Sequence, residues 1–139
     1  MKNKIETYLG TNPRNKIIIH QNPLLDITSL NLGCSLSKSI SHFKSKKRLP
    51  LQIISTLQKE LNKSITFYPN YGQTLAITNI GILFEPELKI NINTLFDEFS
   101  KNNALFVEWK GSIENTTLFF LNNTDRIKIN LNTLSHIIL

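Results

Sequence analysis

The chain has 139 residues, of which 40% are hydrophobic and 19% are charged, and it contains one cysteine. This composition excludes a disordered chain and a disulfide-held scaffold, and the length fits one domain with one core. The formal net charge of +6 favours contact with nucleic acid or an acidic protein, although many soluble domains carry a similar excess. We expect a single domain over residues 1–139, in which residues 1–14 form a polar N-terminal extension.

Targeting segments and cysteine-based metal sites are not expected. The N-terminus is polar, and no apolar run approaches the roughly 18 residues that a membrane-spanning helix requires. Because Cys34 has no second cysteine to pair with, neither an intramolecular disulfide nor a cysteine cluster can form. We therefore expect a cytoplasmic protein that does not contact a membrane.

Short apolar runs between turn residues predict strands that are buried on both faces. KIIIH at 16–20, TLAIT at 74–78 and ALFVEW at 104–109 are the three clearest runs. A further apolar run at 27–32 is expected to be a second strand that ends at Gly33. The turn-rich stretch 68–72 precedes the run at 74–78, and an apolar turn at 80–84 follows it.

Apolar residues at helical spacing predict three helices, which alternate with these strands. They cover residues 50–61, residues 91–101, and a segment from Ser35 or Ser37 through Phe43. The apolar positions are Leu51, Ile54, Leu57 and Leu61 in the first, Ile92, Leu95, Phe96 and Phe99 in the second, and Leu36, Ile40 and Phe43 in the third.

The C-terminal part has a different pattern. Gly111 and two asparagines punctuate a predicted hairpin at 112–121, and polar and apolar residues alternate over 127–132 as in a half-exposed edge strand. A last apolar run covers 136–139. The whole pattern predicts an α/β fold, with a largely parallel sheet flanked by helices and an antiparallel hairpin and edge at the C-terminus.

Three segments carry a resemblance to a known family. They are LNLGCSL at 30–36, NIGILFEPEL at 79–88 and SKNNALFVEWKGSIENTTL at 100–118. Through them the chain resembles the small P-loop ATPase subunit of BREX-type bacteriophage-resistance systems, the BrxF family. The resemblance implies a P-loop-ATPase-like fold over about residues 16–121. It also implies partners among the larger ATPase, methyltransferase or phosphatase-like components of such a system.

The chain departs from this family where nucleotide chemistry would occur. A phosphate-binding loop needs glycines for close backbone approach and a lysine for the phosphates, but residues 21–29 contain neither. The family's acidic magnesium ligand aligns with Thr78, and a later acidic position aligns with Gly81. An uncharged threonine is a poor replacement for a carboxylate. We therefore expect a degenerate, inactive pseudo-ATPase that binds no cofactor.

The remaining family-like segments are the expected partner surface, because core packing does not explain all of them. They are the turn at 80–88, the basic connector at 44–48 and the hairpin around residue 114. The leading hypothesis is an assembly or regulatory subunit in phage defence that acts through protein–protein contacts. Candidate contact residues are Lys44, Lys46, Lys47, Arg48, Leu83, Phe84, Glu85, Trp109, Glu114 and Asn115.

An alternative hypothesis assigns the basic segment 38–48 to DNA or RNA binding. Its lysines and arginine could neutralise several phosphates, and Tyr68, Tyr71 and Trp109 could provide stacking surfaces. A basic run is more often a solvated loop, and Trp109 ends an apolar strand, as core or interface anchors do.

Catalytic and metal-binding readings are weaker. Glu85 and Glu87 could act as general acid and base, but Pro86 between them favours a helix N-terminus. No nucleophile motif accompanies the other reactive residues, so we interpret Cys34 as a semi-buried hydrophobe and the histidines as edge or surface residues. A nucleotide-dependent enzyme with an unconventional site is a third hypothesis. The reactive residues considered are His20, Asp26, Cys34, His42 and His136; none is expected to be catalytic or to bind a metal.

Overall fold

The computed structural model describes residues 2–24, 26–42, 49–85, 88–119 and 128–139. It has a mostly parallel central sheet flanked by helices and a separate three-stranded antiparallel sheet, which confirms the predicted fold class. A 3-10 helix spans Ile80–Phe84. The helices are α1 (Lys2–Gly10), α2 (Leu32–His42), α3 (Leu49–Ser64) and α4 (Ile92–Ser100), and the strands are β1 (Ile17–His20), β2 (Leu30–Asn31), β3 (Thr66–Tyr68), β4 (Gly72–Thr78), β5 (Ala104–Glu108), β6 (Ser112–Glu114), β7 (Thr117–Phe119), β8 (Lys128–Asn130) and β9 (His136–Ile138).

The central sheet has the strand order β2-β4-β5-β1-β9. Strands β4, β5, β1 and β9 run parallel, and Leu105 of β5 lies opposite Leu75 on one side and Ile17 on the other. Two short strands pair with successive stretches of β4. Strand β3 pairs antiparallel with residues 72–74, and β2 pairs parallel with residues 77–78.

Both faces of this sheet are covered, which explains why its strands are continuous apolar runs. Side chains alternate between faces along a strand. Ile17 and Ile19 pack on the face that contains the apolar residues of α2, α3 and α4. Ile18 packs on the opposite face with Phe106 and Ile5. The predicted strands at 16–20, 74–78 and 104–109 are confirmed.

The first helix was not predicted. Residues 1–14 have the composition of a polar extension, but residues 2–10 form α1, and its Ile5 is only 2% exposed. Leu9, one helical turn later, packs against the same cluster. The Lys4 Nζ also donates a hydrogen bond to the carbonyl oxygen of Ile138, at 3.0 Å. Two apolar residues one turn apart and the Lys4 hydrogen bond thus attach α1 to the sheet.

Helix α2 starts earlier than predicted. Gly33 was expected to end a strand, but the helix begins at Leu32, and β2 contains only two residues. The Asn31 Oδ1 accepts the backbone N–H of Cys34 at 3.0 Å, which is an N-cap hydrogen bond. The side chain of Asn31 therefore fixes the start of the helix. The predicted end of this helix, Phe43, lies outside the described residues.

Helix α3 confirms the prediction of a helix but corrects its buried face. Leu57 and Leu61 are buried as predicted, while Leu51 is 73% exposed and Ile53 is fully buried instead. The buried positions 53, 57 and 61 are spaced by one turn, as were several of the predicted ones. Periodicity alone could not choose between two overlapping apolar stripes.

The later elements agree more closely with the sequence. Helix α4 follows the N-cap Asn91, and Leu95, Phe96 and Phe99 are buried as predicted. Strands β6 and β7 form the predicted hairpin, and β8 pairs with β7 and alternates between exposed and buried residues. The run at 136–139 contributes β9, which pairs parallel with β1 in the central sheet.

Candidate functional site

A cleft of about 370 Å³ opens at the carboxyl ends of β2, β4 and β5. Ligands of open α/β sheets commonly bind at this edge, because the connections that leave the strands diverge there. We take this cleft as the candidate site. Its lining residues are Asn31, Thr78, Asn79, Ile80, Gly81, Glu108, Trp109, Lys110 and Gly111.

Two asparagines form one wall of the cleft. The Asn79 Nδ2 donates a hydrogen bond to the Asn31 Oδ1 at 3.0 Å. That oxygen also accepts the backbone N–H of Cys34, which identifies it as the oxygen of the amide. Asn79 must then donate through its nitrogen, so its own Oδ1 has no hydrogen-bond partner among the residues described. The Asn79 Oδ1 is therefore an acceptor that no described residue uses.

This asparagine pair depends on a glycine in α2. Asn79 has left-handed backbone angles (φ 53, ψ 53) and lies against Gly33. A Cβ at Gly33 would overlap the Asn79 Nδ2 and lie 2.7 Å from its Cγ. Gly33 is thus needed for close packing of α2 against the end of β4.

We expect Gly33→Ala to break this packing. In wild-type protein the substitution forces the Asn79 side chain away from Asn31, whereas in an Asn79→Gly background the added methyl group has room. Alanine should then gain about 0.5–1 kcal/mol from helix propensity, and glycine at residue 79 suits the left-handed backbone. Urea unfolding of the four proteins should give a coupling energy of about 1–2 kcal/mol between the two positions. Additive effects would contradict the assigned contact.

The opposite wall is anchored by Trp109. Its side chain is buried, with the ring 6.0 Å from that of Phe84 in an edge-to-face arrangement. The indole N–H is close to two carbonyl oxygens, of Ser112 at 3.2 Å and of Phe119 at 3.1 Å. Trp109 thus joins the 3-10 helix to the β6–β7 hairpin.

A buried histidine lies next to the cleft. His20 is 3% exposed and lies opposite Glu108 in the β1–β5 register. Its Nδ1 lies 2.8 Å from the carbonyl oxygen of Asn22, so this nitrogen carries the proton. Burial lowers the pKa of His20, although the hydrogen bond to Asn22 and the charge of Glu108 oppose the shift. The buried Nε2 of His20 has no hydrogen-bond partner in the described part of the chain.

The predicted contact residues fall into three groups. Lys44, Lys46, Lys47 and Arg48 lie outside the described residues. Leu83 and Trp109 are 1% and 2% exposed, so their side chains are part of the core. The four that remain accessible are Phe84, which is half-buried, and the exposed Glu85, Glu114 and Asn115.

Two interpretations of reactive residues are wrong. His20 is a core residue and not an edge or surface one, because β1 is covered on both faces. Cys34 is exposed and not semi-buried, since it occupies the first turn of α2. His20 and His136 also lie at opposite ends of the β1–β9 pair, where His136 is opposite Ile17. Glu87 and the side chain of His42 lie outside the described residues.

The described residues show neither a metal-binding cluster nor a helix that could span a membrane. In the described ranges no group of three or more His, Cys, Asp or Glu residues is arranged to hold a metal ion. None of the described helices combines the length and apolar character needed to cross a bilayer.

Several cleft residues were not singled out from the sequence. Asn31, Asn79, Glu108 and Lys110 all follow or end an apolar run, at the carboxyl end of a strand. A polar residue in that position is a signal that could have identified them. Comparison of the chain with protein-family models, curated proteins and solved structures gives no match. The cleft is therefore interpreted from its own geometry.

Proposed function

We propose that this protein is a non-catalytic assembly or regulatory subunit of a BREX-like bacteriophage-defence system, acting in the cytoplasm through protein–protein contacts. The connection between β1 and β2 is the observation that carries the proposal. In an active relative this connection would contain the phosphate-binding loop and the helix that it opens.

The connection is too short for those parts. Residues 21–29 join β1 to β2 across the positions of β5 and β4, and they contain no glycine and no lysine. Nine residues span at most about 30 Å when extended, and three strand spacings take up about 14 Å. A crossover that includes a helix usually needs at least ten to twelve residues. None of the described residues of this connection is helical.

The packing on the adjacent face supports the same proposal. Ile27, from the short connection, is buried in one cluster with Ile5 of α1 and with Ile18 and Phe106 of the sheet. These side chains cover the sheet face along which the connection passes. By the resemblance, Thr78 at the end of β4 aligns with the family's magnesium-binding carboxylate. Both features argue against turnover of MgATP.

The accessible family-like residues give the proposed contact surface. Phe84 and the β6–β7 hairpin are joined through the buried Trp109. Glu85 follows Phe84, while Glu114 and Asn115 form the tip of the hairpin, and all three are exposed. We define this contact surface as Phe84, Glu85, Glu114 and Asn115.

A tagged pull-down from the native host, with and without nuclease, tests the proposal. We expect stoichiometric defence-system proteins that survive nuclease and that are lost from a Glu85→Lys, Glu114→Lys variant. Glu98→Lys is the control, because Glu98 is an exposed carboxylate on α4 and is not one of the four residues of this surface. Capture that is unaffected by the paired reversals would contradict the contact surface. Magnesium-dependent ATP turnover would overturn the non-catalytic assignment.

The net charge of +6 favours one alternative, an accessory protein that binds DNA or RNA through the basic segment 38–48. Within this segment Lys38 is an exposed residue of α2. The nuclease arm of the pull-down separates the alternatives, because partners held by nucleic acid would be lost. Binding to nucleic acid should also fall steeply with salt and with charge reversal at Lys46, Lys47 and Arg48.

A further inference from the structure

We propose that the cleft at the carboxyl ends of β2, β4 and β5 binds a small zwitterion of the α-amino-acid class. In this site Glu108 receives the ammonium group and Lys110 the carboxylate. The inference does not depend on the proposed defence function, because it uses only the chemistry and size of the cleft.

Two residues of opposite charge line the cleft. Glu108 and Lys110 both line the cleft, and neither side chain forms an ion pair or a hydrogen bond with the residues that the structure describes, although the Glu108 charge acts on the buried His20. Glu108 is half-buried and Lys110 is exposed at the rim. Two opposite charges that face one small space without pairing can each bind a group of a ligand that carries both charges.

The neutral groups of the cleft complement the same ligand. Among the described residues the Asn79 Oδ1 accepts no hydrogen bond, while the Asn79 Nδ2 donates one to Asn31. Thr78, at the end of β4, also lines the cleft and carries a hydroxyl group. An ammonium group has three donors, so a cleft that offers neutral acceptors as well as a carboxylate suits it better than it suits a single anion.

The size of the cleft limits the ligand further. A volume of about 370 Å³ is near the lower end of the range for small-molecule sites. A nucleoside triphosphate fits poorly, because its charge would meet Glu108 and only one cleft lysine would oppose it. The occupant is thus a small ligand with one charge of each sign.

Isothermal titration of the wild-type protein with each of the twenty L-amino acids tests the proposal. We expect saturable binding of at least one of them. Its N-acetyl derivative, which lacks the ammonium group, and its amide, which lacks the carboxylate, should each bind about 10-fold to 100-fold more weakly. These ligand derivatives test both contacts without changing the protein.

Two substitutions then assign the contacts to residues. Glu108→Gln should weaken binding of the parent amino acid by about 10-fold or more and leave binding of the N-acetyl derivative unchanged. Lys110→Gln should weaken binding of the parent amino acid to a similar extent and leave binding of the amide unchanged. Glu98→Gln and Lys63→Gln are matched controls, because both residues are exposed and lie on α4 and α3. Both controls should bind as the wild type does.

Three results would overturn the proposal. The first is that none of the twenty amino acids binds saturably at concentrations up to about 10 mM, which is on the order of the Kd of a weak metabolite site. The second is binding that the ligand derivatives do not weaken. The third is tight binding of ATP at the cleft, which would also contradict the proposed function, whereas the first two results would leave that function intact.

Discussion

Replacing Trp109 by alanine is expected to lower the free energy of unfolding by about 3–5 kcal/mol, the usual cost of removing a large buried aromatic side chain. The substitution removes the contact with Phe84 and leaves a cavity at the base of the cleft. It also removes the donor that serves the carbonyl oxygens of Ser112 and Phe119. Urea unfolding followed by circular dichroism would measure the loss.

A conservative variant separates the two contributions of Trp109. Trp109→Phe retains most of the apolar contact but not the indole N–H, so we expect a smaller loss of about 1–3 kcal/mol. The small antiparallel sheet should then exchange its amide protons faster, because the indole no longer joins its first two strands. A loss below about 1 kcal/mol for Trp109→Ala would show that this residue is not the anchor described above.

The second large effect is expected in α1. Ile5→Ala should lower the free energy of unfolding by about 2–3 kcal/mol, because Ile5 is 2% exposed and packs with Ile18, Ile27 and Phe106. This result would show that residues 2–10 belong to the folded domain. It would exclude the polar extension that their composition suggests.

Exposed residues of the same helix provide the control. Glu6→Ala and Thr7→Ala alter α1 without touching the core and should change stability by no more than about 0.5 kcal/mol. An Ile5→Ala variant as stable as these controls would mean that α1 contributes nothing to the core. Chemical denaturation of the three variants measures the difference.

The sequence was most informative where burial is complete. Strands β1, β4 and β5 each contain a continuous run of buried residues, because both of their faces are covered, and the apolar runs at these positions predict them directly. The apolar pattern did not predict the helix and the strand that contain few buried apolar residues. Strand β3 is exposed at Thr66 and Phe67, and Ile5 and Leu9 are the residues of α1 that pack in the apolar cluster. Neither segment has a periodic pattern that would distinguish it from a loop.

The sequence pattern also did not predict which distant segments pair with each other. The run at 136–139 was recognised as apolar, but nothing in it indicates that it lies parallel to β1. The cleft was missed for the same reason, since Asn31, Asn79 and Glu108 are far apart along the chain. Only the strand order brings them to one edge of the sheet. Gly33 shows the limit most clearly, because a glycine that ends a strand and one that admits a neighbouring side chain look alike in a sequence.

The division of the β4 edge between two short partners has a consequence for solubility. Strand β2 covers the end of that edge and β3 covers its start, and the two run in opposite directions. A foreign strand would therefore have to displace one of them to extend the sheet here. Short and interrupted edges protect against intermolecular strand addition. The two short strands thus leave this side of the sheet without a continuous template for aggregation.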